Sequence, residues 1–452
     1  TQDSSQTKPI IVTNTVPSLG NYYWFQLGQD IDGEAVYDYS GSSVSLSSDG
    51  TIVAIGAIYN RIGVDYTYEG HVRVYQYNGT IWTQLGQDID GEAVDDQSGS
   101  SVSLSGDGTI VAIGAFENDG NGVESGHVRV YKYSNSSWNQ LGSDIDGEAV
   151  GDYSGLSVSL SSDGTIVAIG ANRNDANGSV SGHVRVYQYN VTVWTQLGQD
   201  IDGEAASDFS GFSVSLSSDG TIVAIGATGN DGNGANGYNG NGTNSGHVRV
   251  YQYREFTSDD VSKYTHNSFV RDTNQTLPII VTNTEPSVGN YYWFQLGQDI
   301  DGEDATWESG WSVSLSSDGT IVAIGAPYNF EINGFSVNRT GHVRLYKYRE
   351  FTSDDVNNYN YGHFKQTVNQ WWNLTLPIIV TSTLPSVGNY YWTQLGLDIN
   401  GEAAGDMSGD SVSLSSDGTI VAIGATGNYG NGSRSGHVRV YELSTYLEPA
   451  PQ

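Results

Sequence analysis

Apolar and polar residues follow the same order of patterns again and again along this chain. From Ser101, SVSLS alternates hydroxyl and apolar residues, and the TIVAIGA segment that follows is a continuous apolar run rich in β-branched residues. Alternation predicts a strand with one covered face, whereas a short continuous run predicts a strand covered on both faces. Asp107 and Gly108 stand between the two segments. They predict a tight hairpin turn.

Two further strands follow in each copy of the pattern. HVRVYQY alternates, with Val72 and Val74 on one face and His71, Arg73 and Tyr75 on the other. WTQLGQDI supplies a fourth strand. Four short strands without helical periodicity are typical of one blade of a β-propeller.

The blade pattern occurs six times. The apolar strand begins at Thr51, Thr109, Thr165, Thr221, Thr320 and Thr419. The third strand begins at His71, His127, His183, His247, His342 and His437. We therefore predict an all-β fold, a six-bladed β-propeller, with seven blades as the alternative if inserted segments supply another sheet.

The tryptophan strand predicts how the ring closes. It occurs at Trp24, Trp82, Trp138, Trp194, Trp293 and Trp392, so the first copy precedes the first blade and none follows the last. We expect residues 23–30 to pair with residues 437–441, which completes the sixth blade and removes open sheet edges. Residues 1–22 are then an N-terminal arm and residues 23–452 the propeller.

Two insertions interrupt the regular spacing. Successive tryptophans are 58, 56, 56, 99 and 99 residues apart, which places the insertions at 254–290 and 349–389. Each insertion begins with REFTSDDV and ends with a PIIVT segment, and we expect these two segments to pair as adjacent strands. The arm repeats only the PIIVT half, through Pro9, Ile10, Ile11 and Val12.

The arm therefore lacks the partner strand that the insertions have. Strand addition from another subunit is one way to satisfy its apolar edge. The alternative is that the arm lies on its own propeller or is disordered. The arm and the insertions mark three consecutive junctions, and such one-sided decoration suits directional subunit contacts.

Composition narrows the possible partners. The formal net charge is -33 and the pI is about 4.2, so nucleic acid and anionic membrane surfaces would be repelled. The chain has no cysteine, which excludes disulfides and thiolate metal sites. No apolar run approaches the ~20 residues of a membrane helix, and the chain starts at Thr1 without methionine. We expect a processed, secreted protein that does not insert into membranes.

Nine Asn-X-Ser/Thr sequons are compatible with secretion. They are Asn78, Asn135, Asn177, Asn190, Asn241, Asn274, Asn338, Asn373 and Asn431. A chain this rich in asparagine, serine and threonine produces many sequons by chance, so their number proves little. Several lie in predicted loops, where a glycan is accommodated, and we expect some to be glycosylated.

The QDIDGEA loops are candidate metal sites. Their acidic residues in the first two copies are Asp30, Asp32, Glu34, Asp88, Asp90 and Glu92. Hard oxygens at alternate positions around a glycine are suited to calcium. The alternative, which we favour, is that Asp and Gly form a turn while Glu caps a loop or pairs with a basic residue. We expect no other cofactor.

The blade segments resemble a known repeat. SGSSVSLSSDGTIVAIGA followed by a Gly-rich loop and SGHVRVYQY resembles the FG-GAP repeat of the integrin α-subunit propeller. It is also similar to repeats of large secreted proteins of algae, protists and marine bacteria. The resemblance implies a propeller fold. The calcium loop of many FG-GAP blades is reduced here to SSDGT or SGDGT, and a single aspartate cannot supply the 6 to 8 oxygens that calcium needs.

These observations favour a structural function. Histidine and arginine recur in every blade, whereas a catalytic site normally breaks the symmetry of a repeat protein, so we expect no enzyme. We predict the repeating subunit of an extracellular filament, appendage or surface coat that binds other copies of itself. The alternative is an adhesin or lectin-like propeller that recognises a glycan or a cell-surface protein.

Overall fold

The computed structural model of this chain confirms the six predicted blades. It describes residues 11–12, 24–61, 68–231, 244–263, 280–302, 306–333, 336–358, 379–381, 384–429 and 435–443. Each blade is an antiparallel sheet, and the six sheets follow one another in chain order. None of the helices in these ranges is long and apolar enough to span a membrane.

The three inner strands of each blade are the predicted SVSLS, TIVAIGA and HVRVY segments. The first strands are β3 Ser40–Leu46, β8 Ser101–Leu104, β13 Ser154–Leu160, β18 Ser210–Leu216, β24 Ser312–Leu315 and β31 Ser408–Leu414. The second strands are β4 Ile52–Ala57, β9 Ile110–Ala115, β14 Ile166–Ala171, β19 Ile222–Ala227, β25 Ile321–Ala326 and β32 Ile420–Ala425. The third strands are β5 His71–Tyr77, β10 His127–Ser134, β15 His183–Tyr189, β20 His247–Glu255, β28 His342–Glu350 and β33 His437–Glu442.

The outer edge of blades 1 to 5 contains the tryptophan strand. The fourth strands are β6 Trp82–Gln84, β11 Ser137–Gln140, β16 Trp194–Gln196, β22 Tyr291–Gln295 and β29 Tyr390–Gln394. A short strand beside each also pairs with the third strand; these are β7 Ile89–Asp90, β12 Ile145–Asp146, β17 Ile201–Asp202, β23 Ile300–Asp301 and β30 Ile399–Asn400. Blade 6 has only β31, β32 and β33 within the described residues.

The remaining elements lie outside these repeats. They are β1 Ile11–Val12, β2 Trp24–Phe25, β21 Ile280–Val281, β26 Phe330–Asn333, β27 Ser336–Arg339, α1 Ser258–Lys263 and α2 Ser353–Asn358. The predicted pairing of REFTSDDV with PIIVT is wrong, because the tryptophan strand β22 lies between β20 and β21. Trp293 pairs with Tyr253 of β20 on one side and with Val281 of β21 on the other. The SDDV segments form the helices α1 and α2 instead of strands.

Local chemistry explains the tight turn between the first two strands. In blade 3, Asp163 Oδ1 accepts hydrogen bonds from the Thr165 amide (2.9 Å) and from Ser161 Oγ (2.7 Å). Gly164 has a φ of 70°, a conformation that glycine adopts without steric cost. The turn directs Ile166 and the rest of β14 into the blade, where every residue of the strand is buried.

Candidate functional site

Neighbouring blades are joined by an apolar layer that repeats at each internal junction. Between blades 3 and 4, Ile166, Val184 and Val186 of blade 3 pack with Val223 and Ile225 of blade 4. All five side chains are buried. The other internal junctions contain equivalent clusters. Removal of this apolar surface from water holds the blades together.

The backbones of adjacent blades also approach closely at a glycine. A Cβ atom on Gly170 of blade 3 would overlap the carbonyl oxygen of Gly211 in blade 4. Ser157 Oγ donates a hydrogen bond of 2.8 Å to the same oxygen. Equivalent glycine contacts join Gly56 to Gly99, Gly114 to Gly155, Gly226 to Gly310 and Gly325 to Gly409. Glycine at these positions therefore permits a blade spacing that any side chain would prevent.

All six blades surround one axis. A leucine from every blade lines a small cavity of about 160 Å³ there, together with a serine from each blade except blade 2, which contributes Gly106. The amide of Ser48 donates to Gly106 of the next blade (2.8 Å), and the same bond recurs as far as Ser317 to Ser416 (2.8 Å). Within the described residues no sixth bond runs from Ser416 to Ser48. The hydrogen-bonded ring is thus interrupted at one place.

The interruption is an open junction between blades 6 and 1. Val438 is 67% exposed, whereas the equivalent Val184 of blade 3 is fully buried. Leu46 is 59% exposed, whereas the equivalent Leu216 is 8% exposed. The same exposure is found for Val440 and Ile420 of blade 6 and for Val44 of blade 1. Both faces of the missing junction therefore carry the apolar residues that the internal junctions bury.

Glycines at this junction give the same result. A Cβ atom on Gly41 or Gly50 would meet nothing within 4 Å. Their equivalents in blade 4, Gly211 and Gly220, lie against residues of blade 3. The space that a neighbouring blade fills elsewhere is empty here.

Closure by the N-terminal strand is corrected accordingly. Trp24 pairs with Val12 of β1, and β33 pairs only with β32 among the strands that the structure describes. The backbone of Trp24 and Phe25 pairs with β1 instead of β33, while the segment that follows is bound to blade 1 as at the internal junctions. Trp82 Nε1 donates to the carbonyl of Leu27 (2.7 Å), and Gln29 Nε2 donates to the carbonyl of Trp82 (3.1 Å). This tryptophan bond recurs between blades as Trp138 to Leu85, Trp194 to Leu141, Trp293 to Leu197 and Trp392 to Leu296.

The arm reproduces the outer part of a blade. Ile11 pairs with Phe25 as Ile280 pairs with Phe294, and β1 pairs with β2 in the same register as β21 with β22. The two-stranded sheet of β1 and β2 has no counterpart of the three inner strands of a blade. We call β1, β2 and the exposed face of blade 1, with Val44 and Leu46, the socket. We call β33 with Ile420, Val438 and Val440 the plug.

A second repeated feature lies where each third strand begins. In blade 3, Glu148, His183 and Asp200 each direct one possible ligand atom to a common point, and these atoms lie within 4.8 Å of one another. Equivalent clusters are Glu34, His71 and Asp88; Glu92, His127 and Asp144; and Glu204, His247 and Asp299. A fifth, at blade 6, contains Glu402, Asp406 and His437.

Burial and the arginine that recurs in every third strand determine the electrostatics of the blade 3 cluster. Burial lowers the pKa of His183 to about 4, and the positive charge of Arg185 acts in the same direction. The imidazole is therefore neutral near pH 7. Arg185 Nη1 lies 3.5 Å from Glu148 Oε1, and Arg185 Nη2 donates to the carbonyl of Asp146 (2.7 Å). The arginine thereby orients the glutamate within the cluster.

The acidic residues predicted as metal ligands do not form the predicted site. Glu34 and Asp88 lie together, Glu92 belongs to the next cluster, and Asp30 accepts a hydrogen bond from Gln26 (2.7 Å). None of these three groups consists of alternate residues of one loop. The fold thus brings acidic residues of different loops together, and calcium at these residues stays a prediction.

The main chain of the other two predicted ligands binds arginine, and the Asp90 carboxyl lies near the first cluster. The Asp32 carbonyl accepts a hydrogen bond from Arg73 (2.9 Å), and the Asp90 carbonyl accepts one from Arg129 (2.7 Å). Burial raises the pKa of the Asp90 carboxyl, and the nearby charge of Asp88 acts in the same direction. The sequence analysis did not include the histidine of each cluster among the candidate ligands. The recurrence of His with Glu and Asp in the same repeat was the available signal, but their positions are far apart in the chain.

Sequons recur at one structural position. Asn78, Asn135 and Asn190 are exposed in the hairpins between the third and fourth strands of blades 1, 2 and 3. In blades 4 and 5 the insertions replace that hairpin, and each carries a sequon, at Asn274 and Asn373. Asn177 is exposed in another loop, and Asn338 lies in β27. Asn241, Asn274, Asn373 and Asn431 lie outside the described residues, as do Pro9 and Ile10 of the arm.

Comparison with known proteins bears on the fold. No protein-family model and no curated protein matches this chain. Among solved structures it is similar to a candidate 6-phosphogluconolactonase from Bacteroides uniformis ATCC 8492 (10% identity, TM-score 0.45, 89% of this chain and 80% of that chain). It is also similar to the periplasmic gluconolactonase PpgL of Pseudomonas aeruginosa (12% identity, TM-score 0.44, 89% of this chain and 81% of that chain). A third similar structure is the hydrazine synthase of Kuenenia stuttgartiensis (11% identity, TM-score 0.37, 93% of this chain and 100% of that chain).

The expectation that the chain is not an enzyme is corrected by this comparison. Two of the similar structures carry the names of lactonases, so the expectation of no enzyme is withdrawn. At identities of 10 to 12% and TM-scores below 0.5, these structures assign no activity to this chain.

Proposed function

We propose that this protein is a secreted structural subunit that polymerises head to tail, with the plug of one copy seated in the socket of the next. The open junction between blades 6 and 1 is the observation that supports this proposal. Its two faces carry the same apolar residues that five internal junctions bury, but here those residues are exposed.

Backbone pairing supports the same contact. Among the described strands, one edge of β33 has no partner strand. In the socket, β1 and β2 correspond to the two outer strands of a blade, and the three inner strands are missing. In blade 4 the corresponding strand β20 pairs with β22, which pairs with β21. Seating β33 against β2 of a second copy would complete an equivalent five-stranded order by strand addition.

The energy of the contact favours assembly. Val438, Val440 and Ile420 of the plug and Val44 and Leu46 of the socket would leave water together. Burial of such side chains stabilises by about 1.5 to 3 kcal/mol each when complete. Plug and socket are different surfaces of one chain, so the contact is heterologous, and each added copy leaves another plug and socket exposed.

The rim supports an extracellular location. Five blades carry a sequon in the hairpin between the third and fourth strands or in the insertion that replaces it. A glycan at that position would project from the rim, away from the blade interfaces. A polymer built through plug and socket would then display a glycosylated outer surface.

Two complementary variants test the proposal. Leu46→Asp disables the socket and Val438→Asp disables the plug, and both positions are exposed in the free subunit, so both variants should fold. We expect each variant alone to be monomeric and an equimolar mixture to give a heterodimer and nothing longer. Val123→Asp, at a valine that is 60% exposed in a loop, is the matched control and should polymerise like the wild type. Sedimentation velocity and negative-stain microscopy measure the outcome.

Other outcomes would identify other functions. A wild-type protein that remains monomeric at all concentrations closes its ring within one chain, and the proposal is then wrong. If that monomer binds a glycan or a cell-surface protein, the propeller is an adhesin. Polymers formed by Leu46→Asp alone would show that assembly uses a different surface.

A further inference from the structure

The Glu, His and Asp side chains that meet at the start of the third strand have the character of a ligand set. In blade 3, Glu148 comes from the loop entering the blade, His183 from β15 and Asp200 from the outer edge. His183 Nδ1 lies 4.0 Å from Glu148 Oε2 and 4.0 Å from Asp200 Oδ2. These separations are too long for hydrogen bonds. Ligands of a tetrahedral zinc ion at about 2.0–2.1 Å lie roughly 3.3 Å apart, so these side chains would have to close by several tenths of an ångström around an ion.

The histidine supplies the second observation. The His183 side chain is 1% exposed, and its Nδ1 atom is buried without a hydrogen-bond partner. A buried polar atom without a partner is costly, and native proteins normally satisfy it with protein, water or an ion. An imidazole nitrogen without a proton presents a lone pair, which is the form in which histidine binds a metal ion.

From this geometry we propose that blades 1 to 4 each bind one zinc-like divalent cation through Glu, His and Asp. One imidazole nitrogen and two carboxylate oxygens form a three-ligand set that zinc accepts, with water in the fourth position. Calcium prefers six to eight oxygens and is not suited to an imidazole-containing set of three.

The arginine contacts that orient the glutamate of each cluster favour a cation between the glutamate and the histidine. Arg185 faces Glu148 Oε1 at 3.5 Å, which leaves Oε2 directed towards His183. Arg249 and Glu204 are arranged in the same way in blade 4, with His247 Nδ1 4.0 Å from Glu204 Oε2. Such contacts around a ligand fix its orientation and tune its affinity.

Blade 5 is a natural exception. Arg344 turns to Asp398, the equivalent of Asp200, and makes two hydrogen bonds of 2.8 and 2.6 Å with it. The edge of Trp307 also packs on His342, with ring centroids 5.4 Å apart. A guanidinium thus neutralises the carboxylate that would otherwise face the cation, so we exclude blade 5 from the zinc sites.

Blade 6 is excluded for a different reason. The strand that would supply the third ligand is absent from it among the described residues, and Asp406 takes that place. Asp406 already accepts hydrogen bonds from the amides of Glu402 and Ala403 and from Asn428. The expected stoichiometry for the subunit is therefore four, one for each of the four equivalent clusters.

Equilibrium dialysis of the monomeric Val438→Asp protein against zinc alone, after removal of bound metal with EDTA, tests the inference. We expect four zinc ions per chain in this background and three when Glu148→Gln, a substitution at a side chain that is 43% exposed, is added. His183→Gln should give the same loss. Cobalt substitution should add visible absorption that falls by about one quarter in either variant.

His342→Gln is the matched control, because it changes the same type of residue at the equivalent strand position of blade 5. It should retain four zinc ions. The inference is overturned if the Val438→Asp protein retains no zinc at micromolar concentrations, or if the addition of Glu148→Gln leaves its full complement. A loss of one ion in His342→Gln would overturn the exclusion of blade 5.

Discussion

A single glycine determines how closely two blades can pack. In Gly170→Ala the new methyl group would overlap the Gly211 carbonyl, so we expect a loss of about 3 kcal/mol in the free energy of unfolding. Gly424→Ala is the matched control at the open junction, where the methyl group meets only Ser411 of its own blade. It should cost less than about 1 kcal/mol in the monomeric Val438→Asp background. Urea unfolding measures both, and equal losses would contradict this account.

The sequence predicted contacts between residues that are adjacent in the chain, but not contacts between residues that are far apart in it. The turn at Asp163 and Gly164 is a property of adjacent residues, and the structure confirms it. The contact of Gly170 with Gly211 and the meeting of His183 with Asp200 depend on how blades and strands pack. No local pattern specifies such contacts, so the histidine clusters could not be derived from spacing.

The two short helices show how side-chain chemistry overrides a strand interpretation. In α2, Asp355 accepts two hydrogen bonds from Arg349 (2.9 Å each) and one from the amide of Thr352 (2.7 Å). An acidic residue at the third helical position that bonds back to a threonine cap is a helix-start motif. Repetition of REFTSDDV indicated an element, but pairing with PIIVT was wrong because the motif ends the strand.

This motif makes helix α2 sensitive to acid. Hydrogen bonds from Arg349 lower the pKa of Asp355 to about 2, from its ordinary value of 3.8. A lowered pKa in the folded state contributes stability that is present above pH 4 and lost as the pH falls towards 2. We expect Asp355→Asn to destabilise the protein by about 1 kcal/mol at pH 7 and by nothing measurable at pH 2.

Urea unfolding at both pH values, monitored in the Val438→Asp background so that the subunit stays monomeric, measures that difference. Asp354→Asn, a change of the neighbouring exposed acid, is the control and should be neutral at both pH values. A destabilisation of Asp355→Asn that persists unchanged at pH 2 would show that the side chain acts through packing and not through its charge.

At the scale of the whole molecule, the repeats predicted the number and order of the blades, and the structure confirms both. The faces that blades present to each other are also the same in every copy. The repeats did not predict the open junction. A repeat pattern specifies that Val438 needs a partner like Leu46, but not which copy of the chain supplies it.

Deletion of residues 1–20 tests the arm as the connector. It removes β1 and leaves β2 without its partner, whereas the segment from Leu27 to Asp32 stays bound to blade 1. We expect the truncated subunit to fold with an unchanged melting temperature and to lose polymerisation, because a two-residue strand alone is a poor partner for β33.

A peptide of residues 9–31, added in excess to the untruncated protein, should compete for the plug and shorten the polymers. Circular dichroism and negative-stain microscopy follow the two effects, and a scrambled peptide is the control. Fibres of the truncated protein that match the native ones would remove the arm as connector and leave the exposed face of blade 1 and the insertions at 254–290 and 349–389 as the candidates.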